Sequence, residues 1–164
     1  MPESVFQKEH TCCFTGHRNI PAEYLGKVKR QLCNTIETLF EKGVITFISG
    51  GAVGFDILAA KAVLYMKKTH PEISLVMVLP CRDQHTKWGV REKTEYEDVL
   101  KVADEIYCLN DKYCTGCMHQ RNRVMVEASS HCITYCTRAS GGTAYTLDLA
   151  RDAGLEILNI ADFL

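Results

Sequence analysis

Residues 44–64 constrain the fold more than any other stretch of the chain. Residues 44–48 form a short β-branched and aromatic run, which is typical of a strand buried on both faces. Residues 57–64 are mostly apolar and favour a helix. Three glycines lie between these two runs: Gly50, Gly51 and Gly54. The order strand, glycine loop, helix predicts a βα unit.

The same alternation continues along the chain. Apolar runs predict further strands at residues 11–15, 73–79, 105–109, 132–136 and 156–160. Apolar residues spaced three and four apart predict further helices at residues 21–42, 90–103, 118–129 and 143–153. Strands that alternate with helices through short loops imply right-handed crossovers. We therefore predict an α/β three-layer sandwich, with a mostly parallel sheet and helices on both faces.

Length and charge narrow the class of protein. A chain of 164 residues with 46% hydrophobic content fits one domain over residues 1–164. The formal net charge of −1 disfavours binding to an extended nucleic-acid backbone. No apolar run approaches the roughly 20 residues that span a bilayer, and Met1-Pro2-Glu3-Ser4 lacks the parts of a signal peptide. We therefore expect a cytoplasmic protein without membrane contact.

The nine cysteines fit reduced thiols, because several lie in predicted strands. Cys114, Cys117 and Cys136 could gather at one edge of the sheet as zinc ligands. However, Cys132 and Cys136 lie more than about 10 Å apart on a strand, so one site cannot easily use both. We predict no metal, and a metal or redox role for Cys114, Cys117 and Cys136 stays open.

Ligands of parallel sheets bind outside the carboxyl ends of the strands, where the strand order reverses. The loops at that edge are residues 16–18, 49–56, 80–89, 110–117 and 137–142. Two of these loops, 49–56 and 137–142, are glycine-rich and lie half a chain apart. A ligand held between the two halves of the domain would require such a pair.

The first glycine loop suits an anion, because glycines let N–H groups approach closely and a helix start adds unpaired N–H groups. The candidate ligand residues are Ser49, Gly50, Gly51, Gly54 and Asp56. The alternative is a tight turn whose glycines only allow packing, with Asp56 as the helix N-cap. The spacing matches neither the dinucleotide fingerprint nor the Walker loop, and no cofactor is predicted.

Arg121 is the most informative side chain. Helical spacing places it within the apolar stripe that contains Met118 and Val124, where a guanidinium needs a partner. We favour a ligand anion, because Arg121 lies in the first helical turn near the loop edge. The alternatives are an ion pair with Asp56 or Asp148, or a side chain that reaches solvent.

Other polar residues at this edge could also contact a ligand. Asn122 could bond a ribose or a base edge, while His17 and Arg18 directly follow the first strand and could contact phosphate. Trp88 could stack on a base or serve only as a packing anchor.

Taken together, these segments resemble the SLOG superfamily. Residues 49–56 resemble the phosphate loop of the DNA-processing protein DprA, and residues 118–122 and 140–143 resemble the paired motifs of LOG-type phosphoribohydrolases. The likeness to the YpsA-like branch is carried by Thr15-Gly16-His17-Arg18, Gln84, Lys87-Trp88, Gln120-Arg121-Asn122 and Gly141-Gly142-Thr143. The resemblance implies a Rossmann-like fold and a nucleotide-type ligand, such as a nucleoside phosphate or an ADP-ribose-like molecule.

The resemblance also raises the question of catalysis. In the phosphoribohydrolases an arginine and a glutamate cleave an N-glycosidic bond, and Arg121 and Asp148 match their positions. Asp148 would stabilise positive charge developing on the sugar. Two departures stand against this role. Residues 140–145 lack the third glycine of the family motif, and Asp148 is shorter than glutamate and spaced to pair with Arg151.

We therefore expect a sensor or regulatory protein that binds a nucleotide-like small molecule, without catalysis. The first alternative is a hydrolase of a nucleoside monophosphate, with Arg121 and Asp148 as catalytic residues. The second alternative is DprA-like binding of single-stranded DNA, which the charge balance disfavours. Dimerisation is common in the resembling families, so a homodimer is a further expectation.

Overall fold

The computed structural model describes residues 6–164, and the segment Met1-Pro2-Glu3-Ser4 lies outside them. The strands are β1 (Thr11–Gly16), β2 (Thr46–Ser49), β3 (Ser74–Leu79), β4 (Glu105–Cys108), β5 (His131–Tyr135) and β6 (Glu156–Asn159). The α-helices are α1 (Ala22–Glu41), α2 (Phe55–Lys67), α3 (Val90–Val102), α4 (Cys117–Glu127) and α5 (Gly142–Asp152). The predicted order of strands and helices is confirmed.

The six strands form one sheet in the order β4-β3-β2-β1-β5-β6, and every neighbouring pair is parallel. The predicted α/β fold with a parallel sheet is confirmed, and in the described residues the sheet is parallel throughout. From β1 the chain builds outward to β4 and then returns to the other side of β1 to form β5. The strand order therefore reverses between β1 and β5.

Helices cover both faces of the sheet. Helices α1, α2 and α3 pack on one face, and α4 and α5 pack together on the other. Successive residues of β1 serve the two faces: Cys12 and Phe14 pack with the first layer, and Cys13 packs with the second. This double burial explains why the strands read as continuous apolar runs in the sequence.

The start of α2 differs from one predicted detail. Gly54, with a φ of 92°, is the N-cap, and Asp56 lies inside the first turn of the helix. The interpretation of Asp56 as the N-cap is therefore wrong. The Asp56 carboxylate instead turns back to the glycine loop, where the Ala52 N–H donates to its Oδ2 at 3.3 Å.

Two further findings concern membranes and metals. None of the helices within residues 6–164 combines the length and the apolar character that a bilayer crossing requires. All nine cysteines are free thiols, and Cys12, Cys13 and Cys132 are buried in strands. The described residues bring no three His, Cys, Asp or Glu side chains together as metal ligands, so Cys114, Cys117 and Cys136 do not form a metal site there.

Candidate functional site

A crevice of about 370 Å³ lies at the carboxyl ends of β1 and β5, where the strand order reverses. Four segments far apart in the chain form its walls: the loops after β1, β2 and β5, and the first turns of α4. Ligands of open α/β sheets bind at such a reversal. The lining residues are Thr15, Gly16, His17, Arg18, Asn19, Ala52, Asp56, Met118, Arg121, Asn122, Arg138, Ser140, Gly141, Gly142 and Thr143.

Arg121 lies in the wall of this crevice and is only 3% exposed. Its Nη1 donates to the Gly50 carbonyl at 2.5 Å, and its Nε donates to Asn122 Oδ1 at 2.7 Å. Within residues 6–164 it forms no salt bridge, which excludes the predicted alternatives of a pair with Asp56 or Asp148. Burial lowers the pKa of the guanidinium, and the nearby charge of Asp56 opposes that effect.

Asn122 positions Arg121. Its Oδ1 accepts from Arg121, while its Nδ2 donates to Thr146 Oγ1 at 3.1 Å. Thr146 Oγ1 in turn donates to the Gly142 carbonyl at 3.1 Å. Because both ends of the Asn122 amide have protein partners, its main task is to connect the guanidinium on α4 to the start of α5. The predicted contact of Asn122 with a ribose or base would use the second N–H of Nδ2 or the second lone pair of Oδ1.

His17 connects the loops after β1 and β5. The Thr137 N–H donates to His17 Nε2 at 2.8 Å, which requires that nitrogen to be unprotonated. Burial and then the charge of Arg138 lower the pKa of His17, so its neutral form is favoured. A neutral His17 can offer a ligand only its Nδ1–H group. The side chain of Arg18, by contrast, is exposed at the crevice rim.

Asp56 is the one carboxylate among the lining residues and is 6% exposed. Burial raises the pKa of Asp56 to about 6, and Arg121, the Ala52 N–H and Arg18 partly oppose this increase. The crevice also contains three arginines, namely Arg18, Arg121 and Arg138. Its charge is therefore positive at neutral pH, which favours an anion.

The first glycine loop is held by the protein's own groups. Ser49 Oγ donates to the Asp56 carbonyl at 2.8 Å and accepts from the Gly51 N–H at 3.2 Å. A Cβ on Gly50 would overlap the Arg121 guanidinium, and a Cβ on Gly54 would overlap the Arg18 carbonyl. The packing interpretation explains these glycines. Ser49, Gly50, Gly51 and Gly54, predicted as ligand residues, are absent from the crevice lining.

Gln84 and Trp88 also lie outside the crevice lining and support the same loop. Gln84 Nε2 donates to the Gly50 carbonyl at 3.4 Å and to the Tyr96 hydroxyl at 3.0 Å. Trp88 packs edge-on against Tyr96 with 5.2 Å between ring centroids. Trp88 therefore packs as an anchor, and neither side chain borders the crevice, so their contact with a ligand stays a prediction.

The second glycine loop, residues 137–142, faces open space. A Cβ on Gly141 or Gly142 would meet no atom within 4 Å. Helix α5 begins at Gly142, and the N–H groups of its first turn have no intrahelical acceptors, as at any helix start. The N-cap residue, Gly141, provides no side-chain acceptor for them either. These N–H groups and Thr143 border the crevice. Arg138 in the same loop adds a cation that the sequence analysis did not single out, although its place in a glycine loop was a usable signal.

Asp148 does not take the predicted catalytic position beside Arg121. It lies on the solvent side of α5, 72% exposed in its side chain, and pairs with Arg151 at 3.0 Å. It borders a separate depression with Arg151 and Asp162. The physical reason is helical spacing, because Thr146, Leu147 and Ala150 take the buried face of α5. The surface pair named as the alternative is observed.

Comparison with known proteins identifies the family. The family profile YpsA, described as the YspA SLOG family, matches residues 12–156. The chain belongs to the YpsA SLOG family. The resemblance seen in the sequence is thereby confirmed, and it covers nearly all of the described fold.

Two relatives of this YpsA SLOG chain illustrate the match. A UPF0398 protein of Halalkalibacterium halodurans is 28% identical over 147 residues, covering 88% of this chain and 76% of the relative. The uncharacterized SPbeta prophage-derived protein YoqJ of Bacillus subtilis is 32% identical over 138 residues, covering 76% of this chain and 81% of YoqJ. Neither name states an activity.

Solved structures extend the likeness to the fold. The DNA processing protein A structures from Helicobacter pylori and Streptococcus pneumoniae match with TM-scores of 0.65 and 0.64. They are 19% and 14% identical, and each match covers 92% of this chain. The chain spans 64% and 50% of those two proteins. At such identities the likeness shows the fold alone.

Proposed function

We propose that this protein is a sensor or regulatory module whose crevice binds the phosphate of a nucleotide or nucleotide derivative. The crevice has a volume of about 370 Å³, which lies within the range of small-ligand sites. Three arginines against one carboxylate favour an anion there. The N-terminus of α5, with open space at Gly141 and Gly142, supplies N–H groups of the kind that bind phosphate.

The buried guanidinium of Arg121 is the observation that carries this proposal. Only two of its five N–H groups have protein acceptors in the described residues, and neither acceptor is charged. Asp56 lies nearby but forms no direct salt bridge with it, so the charge of Arg121 is only partly offset within the described residues. A buried cation that is incompletely paired is costly, and a ligand anion in the crevice would offset the cost. The pair Asn122–Thr146 holds this guanidinium beside the start of α5.

Two alternatives receive less support. The hydrolase hypothesis needs Asp148 near Arg121, and Asp148 instead pairs with Arg151 at the surface. Binding of single-stranded DNA is described for the Helicobacter pylori protein of similar fold. A chain with a net charge of −1 lacks the general positive field that such binding uses.

The direct test measures melting temperature and calorimetric affinity with a panel of nucleoside mono-, di- and triphosphates. We expect at least one nucleotide to stabilise the protein. The variant Gly142→Asp adds a negative charge at the start of α5, which favours the helix but repels a ligand anion. It should weaken that binding at least tenfold without lowering stability.

A matched control and two contrary outcomes complete this test. Ala22→Asp adds the same charge at the start of α1, away from the crevice lining, and should leave affinity unchanged. Stabilisation by none of the nucleotides would refute the proposal. Release of free base, measured by chromatography and abolished in Asp148→Ala, would replace it with the hydrolase.

A further inference from the structure

Asp56 is an unexpected group for an anion site. Its side chain is buried, it borders the crevice, and a carboxylate there repels a phosphate. One oxygen, Oδ2, accepts from the Ala52 N–H at 3.3 Å. No hydrogen bond from residues 6–164 reaches its other oxygen, Oδ1, and Oδ1 is not one of their fully buried polar atoms without a partner, so it stays accessible to solvent. Asp56 Oδ1 is therefore a free hydrogen-bond acceptor in a crevice whose other charged side chains, the three arginines, are donors.

The neighbouring charges do not fully explain why a carboxylate is buried at position 56. Arg121 faces it from α4 and Arg18 faces it from the loop after β1, and both attract it. Neither arginine forms a salt bridge with it in the described part of the chain. Because Oδ1 stays accessible to solvent, a hydrogen-bond donor carried by a ligand in the crevice can reach it.

We propose that Asp56 accepts hydrogen bonds from sugar hydroxyls of the ligand, so that the crevice selects ribose phosphates over anions without hydroxyls. This inference rests on the proposed phosphate site. In this arrangement Arg121 and the start of α5 bind the phosphate, and Asp56 binds the neighbouring sugar. A carboxylate offers acceptors only, and a ribose carries adjacent hydroxyl donors.

The expected selectivity follows from the strength of such bonds. A hydrogen bond to a charged group changes affinity by about 10- to 100-fold. Without the hydroxyls, Asp56 would still repel the phosphate and would gain no hydrogen bond from the ligand. A dideoxy ligand should therefore bind more weakly than its ribose counterpart, although it carries the same phosphate and the same base.

The experiment compares nucleoside monophosphates of all four common bases with their 2′,3′-dideoxy counterparts by calorimetry. For the native protein we expect the ribose form to bind about 10- to 100-fold more tightly. In Asp56→Asn, which keeps the shape of the side chain, the ratio should fall below about fivefold. Affinity for the dideoxy form should rise in the same variant, because the repulsion is removed. A merely structural role for Asp56 would weaken both ligands alike.

Asp152→Asn removes an exposed carboxylate from the end of α5 and should leave the ratio unchanged. Asp56→Ala, which has no acceptor, serves as a second variant and should also lose the preference. Equal affinity of the native protein for ribose and dideoxy forms would overturn this inference and leave the phosphate site standing. A preference that survives in Asp56→Asn and Asp56→Ala would overturn it as well. Failure of every monophosphate to bind would overturn both proposals.

Discussion

The two glycine loops look alike in the sequence and differ in the folded protein. The loop after β2 carries Gly50 and Gly54, and at both positions the protein itself occupies the space of a side chain. The loop after β5 carries Gly141 and Gly142, and at both positions that space is empty. The first loop therefore positions Arg121 and Asp56, and the second exposes the start of α5.

This comparison separates two uses of glycine. In the first loop glycine permits close packing, since the Arg18 carbonyl lies against Gly54. In the second loop no protein group fills the space of a side chain, which leaves the start of α5 open as the proposed phosphate site requires, although Gly141 is also favoured by its φ of 106°. The distinction depends on contacts across the domain, and mutations in the two loops should therefore have opposite consequences.

The largest expected difference is between Gly54→Ala and Gly142→Ala. Gly54 has a φ of 92°, and its Cβ would overlap the Arg18 carbonyl. Strain and overpacking together should lower the free energy of unfolding by roughly 3 to 5 kcal/mol. Gly142→Ala, in open space, should raise it by about 0.5 kcal/mol. Urea denaturation of both variants measures the contrast, and equal destabilisation would mean that the two loops do not differ as described.

The second prediction concerns the charge that the first loop encloses. The pKa of Asp56 is raised from 3.8 to about 6 in the folded protein, so between these values the folded state holds a proton that the unfolded chain has released. Stability from this group is present at low pH and is lost as the pH rises to about 6. For the native protein this loss is at most about 3 kcal/mol.

The variant Asp56→Asn tests this effect because its side chain does not titrate. Its stability relative to the native protein should increase between pH 4 and pH 7.5 by up to about 3 kcal/mol. Other titrating groups are shared and cancel in the difference. Urea denaturation at the two pH values supplies the measurement. A difference that is independent of pH would show that the carboxyl titrates normally.

The smallest expected effect is that of Asp148→Ala, which lies beyond the second loop on α5. Exposed ion pairs of this kind contribute about 0 to 1 kcal/mol, so stability should change by no more than this. Nucleotide affinity should stay within twofold of the native value, because Asp148 does not border the crevice. A tenfold loss of affinity in calorimetry would place Asp148 in the site and blur the distinction between crevice and surface.

Local patterns were sufficient to predict the fold. The spacing of apolar residues and the positions of turn residues identify each strand and helix. The strand predicted at residues 132–136 and the helix predicted at residues 143–153 each begin within one residue of the observed start. Helical spacing also predicted that Arg121 would be buried. These features depend on neighbours in the chain, which a sequence shows directly.

The division of labour within the site could not be predicted in this way. Gln84 and Trp88 have the chemistry of ligand residues, but contacts with Gly50 and Tyr96 direct them to support the loop. Arg138 was overlooked, although its place in the glycine loop of residues 137–142 was a usable signal. Which side chain meets the crevice depends on how distant segments converge, and that information lies in the tertiary structure.

The pairing of β1 with β5 has a consequence for the synthesis of the protein. Cys13 pairs in register with Cys132, so the first strand must wait for more than a hundred further residues before its second neighbour exists. A nascent chain can assemble β1 to β4 with their helices while the crevice still lacks one wall. The proposed binding site is therefore completed late during translation, and a product truncated before β5 would lack the loop after β5 and the start of α5 that form part of its wall.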